Sequence, residues 1–186
     1  MGILKTRGRG VLLALLLAAA VPRDAAALAA PTAQQVEAVF LFYFTQFVSW
    51  PASAFASEHS PIIIGVLGDD PFNGALEQAV AGERVNGRPI LVRRLLRIAD
   101  AQGCHIVYIS ASEAPRLQRI LSALNGHEVL TVSDLDHFAQ SGGMIRFVLI
   151  DQHVRLRINA SSARAAGLTL SSKLLRAAAP ARPGAS

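Results

Sequence analysis

Two adjacent carboxylates are the residues of this chain whose placement most clearly suggests chemistry. Asp69 and Asp70 follow directly on the apolar run 62–67, and open α/β sheets place their ligand crevice at the carboxyl ends of their strands. Asp134 follows a second apolar run, 128–132, and is assigned to the same crevice. Carboxylates in such a place could hold a divalent cation or assist a hydrolysis. A turn and helix cap is the competing interpretation of the Asp69-Asp70 pair.

Each catalytic interpretation of these carboxylates lacks a second element. A receiver domain needs an acceptor aspartate after its third strand, and the run 104–109 ends without one. A phosphohydrolase would have its two carboxylates one residue apart. The sequence contains no G-x-S-x-G elbow, no glycine-rich phosphate loop and no H-E-x-x-H pair. The histidines are also at spacings that form no recognisable zinc motif: His59, His105, His127, His137 and His153. We therefore expect no catalysis, no cofactor and no metal site.

The apolar runs that carry these residues alternate with helical segments. Strands are predicted at 62–67, 90–95, 104–109 and 128–132, and helices at 73–81 and 112–124. Strands that are apolar on both faces indicate a sheet covered by helices on both sides. Two further runs, 144–150 and 154–158, are separated by three polar residues, which predicts a hairpin. The predicted fold class is α/β, a single three-layer domain in which a mixed β-sheet is flanked by helices on both faces.

A helix is predicted from residue 32 to residue 49, where apolar side chains recur at steps of three and four. The expected core stripe consists of Val36, Val39, Phe40, Tyr43, Phe44 and Phe47. Phe42 falls instead in the arc that contains Ala38, Thr45, Gln46 and Ser49, which predicts that its ring is exposed. Trp50-Pro51 should end the helix, and tryptophan is enriched at interaction hot spots as well as in cores. We expect Phe42 and Trp50 to belong to a partner or dimer surface.

The C-terminal segment offers a second candidate partner surface. Asn159 is predicted to cap a helix that runs to residue 164, and Gly167 ends that helix before Leu168. Leu170 begins an apolar face that continues through 174 and 175. The candidate surface comprises Asn159, Leu168 and Leu170, and core packing of the leucines is the alternative.

Composition excludes several protein classes. The 186 residues are 52% hydrophobic and 17% charged, which is a globular composition and not that of a disordered chain. Four of the basic side chains that give the net charge of +5 lie in residues 1–29. In that segment a basic start, the apolar run 11–21 and small residues predict a cleaved signal peptide. Beyond it, 14 basic and 12 acidic side chains leave a net charge of +2, so the argument for a nucleic-acid partner disappears.

The predicted organisation is therefore a signal peptide at 1–29, an α/β domain at 30–178 and a disordered tail at 179–186. The exported domain would reach an oxidising compartment with one cysteine, Cys104. A single cysteine excludes a disulfide within the chain. A buried inert thiol and a bridge to another chain both remain open.

Six motifs, read in order, resemble the YfiR family of small periplasmic proteins over about residues 36–178. They are FLFYFTQFVSWP (40–51), IGVLGDDPF (64–72), CHIVYIS (104–110), LTVSD (130–134), FAQSGGMIRF (138–147), and RLRIN (155–159) followed by GLTLSSKLL (167–175). The resemblance implies a periplasmic α/β domain, often dimeric, without known catalysis. Its best-understood members repress an inner-membrane diguanylate cyclase by binding the periplasmic sensor region of that enzyme. In that family an outer-membrane lipoprotein can relieve repression by capturing the repressor.

The chain departs from the family pattern at two places. Tyr43 and Gln46 stand where members commonly have an asparagine and a lysine, so the first helix is more apolar, and we expect its partner-binding face to differ from that of the family. Cys104 has no mate, which removes a redox switch within one chain.

From the resemblance we expect a periplasmic repressor of a membrane diguanylate cyclase, acting in cyclic di-GMP signalling and biofilm control. A homodimer and an outer-membrane lipoprotein antagonist are expected with it. The alternative is a small-solute sensor that acts on a membrane receptor, with Asp69, Asp70 and Asp134 as its ligand crevice. A hydrolase that uses the same carboxylates is the third hypothesis.

Overall fold

A seven-stranded sheet is the centre of the fold in the computed structural model, which describes residues 30–178. The predicted signal peptide and the predicted disordered tail lie outside the described residues. The described residues form nine strands, which are, in chain order, β1 (Val48–Ser49), β2 (Ile62–Leu67), β3 (Arg84–Val85), β4 (Arg88–Leu95), β5 (Ile106–Ile109), β6 (Leu130–Ser133), β7 (Ile145–Ile150), β8 (His153–Ile158) and β9 (Thr169–Leu170). Seven of them form the central sheet, and β1 and β9 pair in a separate small sheet.

The sheet is mixed, as the sequence predicted. Its strand order is β3-β4-β2-β5-β6-β7-β8, and the five central strands run parallel. The two outer strands, β3 and β8, pair antiparallel with their neighbours. The chain moves from β2 outward to β4 and then returns to the other side of β2 to form β5, so the strand order reverses between β2 and β5. A ligand crevice in open α/β sheets lies outside the carboxyl ends of strands at such a reversal.

Helices cover both faces of this sheet, which confirms the three-layer prediction. They are α1 (Ala33–Phe47), α2 (Ala75–Val80), α3 (Leu117–Leu124), α4 (Ala160–Ala165) and α5 (Ser172–Ala177). One buried cluster joins the sheet to α1, α2, α4 and α5, with the rings of Phe44 and Phe147 stacked 5.9 Å apart. A second cluster joins the other face to α3 through Ile120 and Leu124. Each cluster excludes water from one side of β2, β5 and β6, which is why β2 and β5 are almost entirely apolar. The two polar side chains of β6, Thr131 and Ser133, are buried and hydrogen-bonded.

The buried face of α1 differs from the predicted stripe. Glu37, Ala38, Leu41, Phe44 and Thr45 are buried, whereas two members of the predicted core stripe, Val39 and Tyr43, are exposed. Small side chains at 38 and 45 let the helix approach its neighbours closely. The hydroxyl of Thr45 donates to the carbonyl of Phe42 at 2.6 Å, so its burial leaves no donor unpaired. The prediction failed because α1 is apolar around most of its circumference, so spacing alone could not select the packed face.

The third helix begins later than predicted. A 3-10 helix, Ala111–Arg116, precedes α3 and contains Pro115. The predicted N-cap at Ser112 is therefore wrong, and the hydroxyl of Ser110 takes that place for the 3-10 turn. The Ser112 hydroxyl instead accepts a hydrogen bond from the backbone N–H of Asp69 at 2.9 Å, which ties this turn to the loop after β2.

The predicted hairpin is present as β7 and β8, joined by Asp151 and Gln152. These two residues have φ values of 49° and 61°. Positive φ at both central residues matches the twist of antiparallel strands, which is why two-residue hairpin loops favour it.

Candidate functional site

The predicted crevice residues follow the carboxyl ends of β2 and β6, and Asp70 is held there by hydrogen bonds. One carboxylate oxygen of Asp70 accepts from the backbone N–H of Phe72 at 2.9 Å, and the other pairs with Arg94 at 2.6 Å. Arg94 also pairs with Glu77 on α2 at 2.5 Å. Asp70 therefore makes the predicted turn, but it caps no helix, because the N-cap of α2 is Gly74.

Sequence reasoning missed two residues of this crevice, Glu37 and Tyr108. Glu37 reaches it from α1 and is only 7% exposed. Burial raises the pKa of Glu37 to about 7, and the charge of Asp134 raises it further in the same direction. Burial also raises the pKa of the Tyr108 phenol, with contributions from the charges of Asp134 and Glu37. The signal available in the sequence was that Glu37 is the only charged residue of an otherwise uncharged helix.

The fold thus brings Glu37, Tyr108 and Asp134 within electrostatic reach of one another, while the Asp69 side chain is exposed. In residues 30–178 no group of three or more His, Cys, Asp or Glu side chains is arranged to hold a metal ion. Among the hydrogen bonds of those residues, none involves the carboxylate of Glu37. Glu37 is therefore protonated in a large fraction of molecules near neutral pH, because burial disfavours its charged form and the charge of Asp134 adds to that effect.

The two candidate contacts in the N-terminal region are half-buried. The ring of Phe42 lies 5.5 Å from that of Tyr43 and packs against the edge of the larger core cluster. The ring is therefore partly buried, and the prediction that it is exposed is wrong. The indole N–H of Trp50 donates to the carbonyl of His105 at 3.1 Å, and its ring meets the His105 ring edge-on at 5.9 Å. Trp50 thus fastens the segment after α1 to the start of β5.

The three candidate contacts in the C-terminal region have structural roles. Asn159 accepts from the backbone N–H of Ser162 at 3.1 Å, as an N-cap, and donates to the carbonyl of Ala139 at 2.9 Å. Leu168 is 4% exposed, so its side chain is a core residue and offers a partner almost no surface. Leu170 pairs with Val48 in the small sheet formed by β1 and β9 and is partly buried.

The most apolar exposed surface near these residues is on α1 and α5. Tyr43 and Val39 are exposed on α1, and Leu175 is exposed on α5. Between the two helices a groove of about 150 Å³ is lined by Phe40, Tyr43, Phe44, Phe47, Leu156, Lys173, Leu174 and Ala177. We call this the α1/α5 groove. Because Glu37 is buried, the exposed side of α1 carries no charge, which is the composition of an interface core and not of ordinary surface.

No helix within residues 30–178 has both the length and the apolar character required to span a bilayer. A family model described as YfiR/HmsC-like matches residues 34–179 of the chain. No curated protein matches it. Because the match covers most of the sequence, the chain belongs to the YfiR/HmsC-like family.

Proposed function

We propose that this member of the YfiR/HmsC-like family is a periplasmic regulatory binding protein that represses an inner-membrane diguanylate cyclase. The family match over residues 34–179 is the observation that carries the proposal. Residues 1–29 act as a cleaved export signal, and the mature chain forms a homodimer that has no catalytic activity. An outer-membrane lipoprotein relieves repression by capturing the mature chain. Cyclic di-GMP output, and with it biofilm formation, then depends on which partner holds the protein.

Repression of this kind requires only differential binding. A repressor that prefers the inactive conformation of a sensor region by a few kcal/mol shifts that region almost entirely to the inactive state. A rigid sheet with an uncharged aromatic helix on its surface supplies contacts of the type that dominate protein interfaces.

The surface proposed for the cyclase is the exposed side of α1 together with the α1/α5 groove. Tyr43 stands at its centre, Phe42 borders it, and both rings are within van der Waals reach of their neighbours on the helix. Trp50 and Leu170 remain predicted contacts at its margin, and Asn159 is a predicted contact beyond it.

A second candidate function rests on the unpaired carboxylate of Glu37. A small solute that donates a hydrogen bond into the crevice of Asp69, Asp70 and Asp134 would pair with it, and the protein would then act as a solute sensor for a membrane receptor. A solute at a hundred times its Kd adds about 2.7 kcal/mol to the free energy of unfolding, so a thermal-shift screen of solutes detects this activity.

Reconstitution tests the principal proposal. The full-length diguanylate cyclase encoded nearest to this gene is placed in membrane vesicles with its periplasmic region accessible, and cyclic di-GMP formation from GTP is measured. The purified mature chain should inhibit synthesis saturably. A cyclase that lacks its periplasmic region is the control and should not respond. Equal inhibition of both enzymes, or no inhibition of either, would contradict the proposal.

A further inference from the structure

Two arginines face each other across the hairpin of β7 and β8. Arg146 and Arg157 are direct cross-strand partners in the antiparallel ladder. Their neighbours Ile145, Phe147 and Leu156 are buried on the opposite face of the hairpin, so both guanidinium groups belong to the face that turns away from α1. Like charges directly opposite each other destabilise a strand pair. A bound anion is one way to offset this repulsion.

The same two arginines line a cavity of about 420 Å³. Gln140, Asn159 and Ser161 contribute polar groups to its wall. This volume lies in the range of pockets that enclose small ligands. The cavity is distinct from both the carboxylate crevice and the α1/α5 groove, because its lining shares no residue with either.

The positive charge of this cavity is only partly compensated. Arg146 pairs with Asp136, whose side chain is 86% exposed, and Arg157 takes part in no ion pair found among residues 30–178. The Nε–H of Arg146 is buried and has no hydrogen-bond partner in that part of the chain. The uncompensated positive charge at the cavity therefore lies mainly on Arg157.

We propose that this cavity is a binding site for a small oxyanion, a carboxylate or a phosphate, held between Arg146 and Arg157. The planar guanidinium group presents parallel N–H donors that match both anions, and such charge-assisted pairs are among the strongest hydrogen bonds in proteins. One anion between the two arginines would offset the cross-strand repulsion. This site is independent of the proposed repressor function.

Calorimetric titration of the purified mature chain tests the site. Inorganic phosphate and citrate are titrated separately at constant ionic strength set with chloride. Saturable binding of at least one anion is expected, and the anion that binds identifies the class as phosphate or carboxylate. Arg157→Gln should weaken that binding about tenfold or more, which corresponds to about 1.4 kcal/mol.

Arg155→Gln is the matched control. Arg155 is on the same strand and the same face, but it is exposed and does not line the cavity. Its substitution removes one positive charge and should leave the Kd within about twofold of the wild-type value. Equal weakening by Arg155→Gln and Arg157→Gln would show nonspecific charge attraction and overturn the site, as would the absence of saturable binding by both anions.

A second measurement separates loss of the site from loss of the fold. In chloride alone, Arg157→Gln should unfold at a temperature equal to or above that of the wild type, because the variant lacks the cross-strand repulsion. In saturating anion the order should reverse, since only the wild type gains stability from binding. The same order in both buffers would contradict the proposal.

Discussion

At the scale of single residues, Glu37 is the group whose chemistry depends most on its surroundings. Its carboxyl lies on a helix without other charges, is shielded from water, and faces Asp134. These conditions favour the neutral acid in the folded state. They raise the pKa of Glu37 from its ordinary value of 4.5 to about 7. The folded protein therefore binds a proton that the unfolded chain releases near pH 4.5.

The first prediction concerns the pH dependence of stability. The contribution of Glu37 should be fully present below pH 4.5 and should be lost as the pH rises through about 7. Glu37→Gln keeps the size of the side chain and cannot ionise, so it should remove this decline. The difference in free energy of unfolding, variant minus wild type, should be larger at pH 8 than at pH 4.5 by up to about 3 kcal/mol. Urea unfolding of both proteins at pH 4.5 and pH 8 measures these free energies.

Asp69→Asn is the control for this experiment, since Asp69 is exposed and is not among the charges that act on Glu37. It should leave the pH dependence unchanged. A wild-type protein and a Glu37→Gln variant with the same dependence would show that Glu37 ionises normally in the folded state.

The sequence indicated part of this crevice and missed the rest for a physical reason. Asp70 and Asp134 were found because strand ends are visible as the ends of apolar runs. Glu37 and Tyr108 come from the middle of a helix and from a strand interior, and only the packing of α1 on the sheet brings them to the same place. No local pattern encodes that packing.

At the scale of elements, the rotation of α1 on the sheet determines which of its side chains are exposed. A capping box begins the helix, in which the Thr32 hydroxyl accepts from the N–H of Gln35 at 3.2 Å and the Gln35 side chain accepts from the N–H of Thr32 at 2.8 Å. The helix itself was predictable from its apolar spacing. Its rotation was not, because aromatic residues at consecutive positions give several faces that could be buried, and contact with the sheet selects among them.

The second prediction tests the exposed side of α1. Tyr43→Asp places a charge at a position that is 43% exposed, so the fold should tolerate it, whereas an apolar interface should not. Inhibition of the reconstituted cyclase should require at least about ten times more of the variant than of the wild type. The unfolding temperature should change little, which thermal denaturation checks.

Leu96→Asp provides the comparison. Leu96 is 85% exposed and lines a cavity with residues of α3, on the other side of the sheet from α1. The same new charge there should leave inhibition intact. Loss of inhibition in both variants, or in neither, would remove the exposed side of α1 from the partner surface.

At the scale of the whole molecule, the layers of the fold were more predictable than the order of strands in the sheet. The alternation of strands and helices and the polar break at 151–153 predicted a mixed three-layer sheet. The order of its strands depends on which side of β2 each crossover takes, and no short segment of sequence records that choice. The pairing of β1 with β9, which joins the end of α1 to the segment before α5, was missed because each strand is only two residues long.

The third prediction concerns the single cysteine and the proposed dimer. Cys104 is 4% exposed, and burial raises the pKa of its thiol, so the reactive thiolate is scarce and shielded. The native protein should react with a thiol reagent at least about a hundredfold more slowly than the protein in urea, and a non-reducing gel should show only monomer. A disulfide-linked dimer would contradict this expectation and would show that the turn before β5 opens in solution.

Control of cyclic di-GMP from outside the cytoplasm is the central claim. The most direct test deletes this gene in its host and measures intracellular cyclic di-GMP, with complementation by the full-length gene or by one that lacks codons 2–29. The account predicts a rise on deletion that the full-length gene reverses and the leaderless gene does not. An unchanged level on deletion, or equal rescue by both forms, would contradict it.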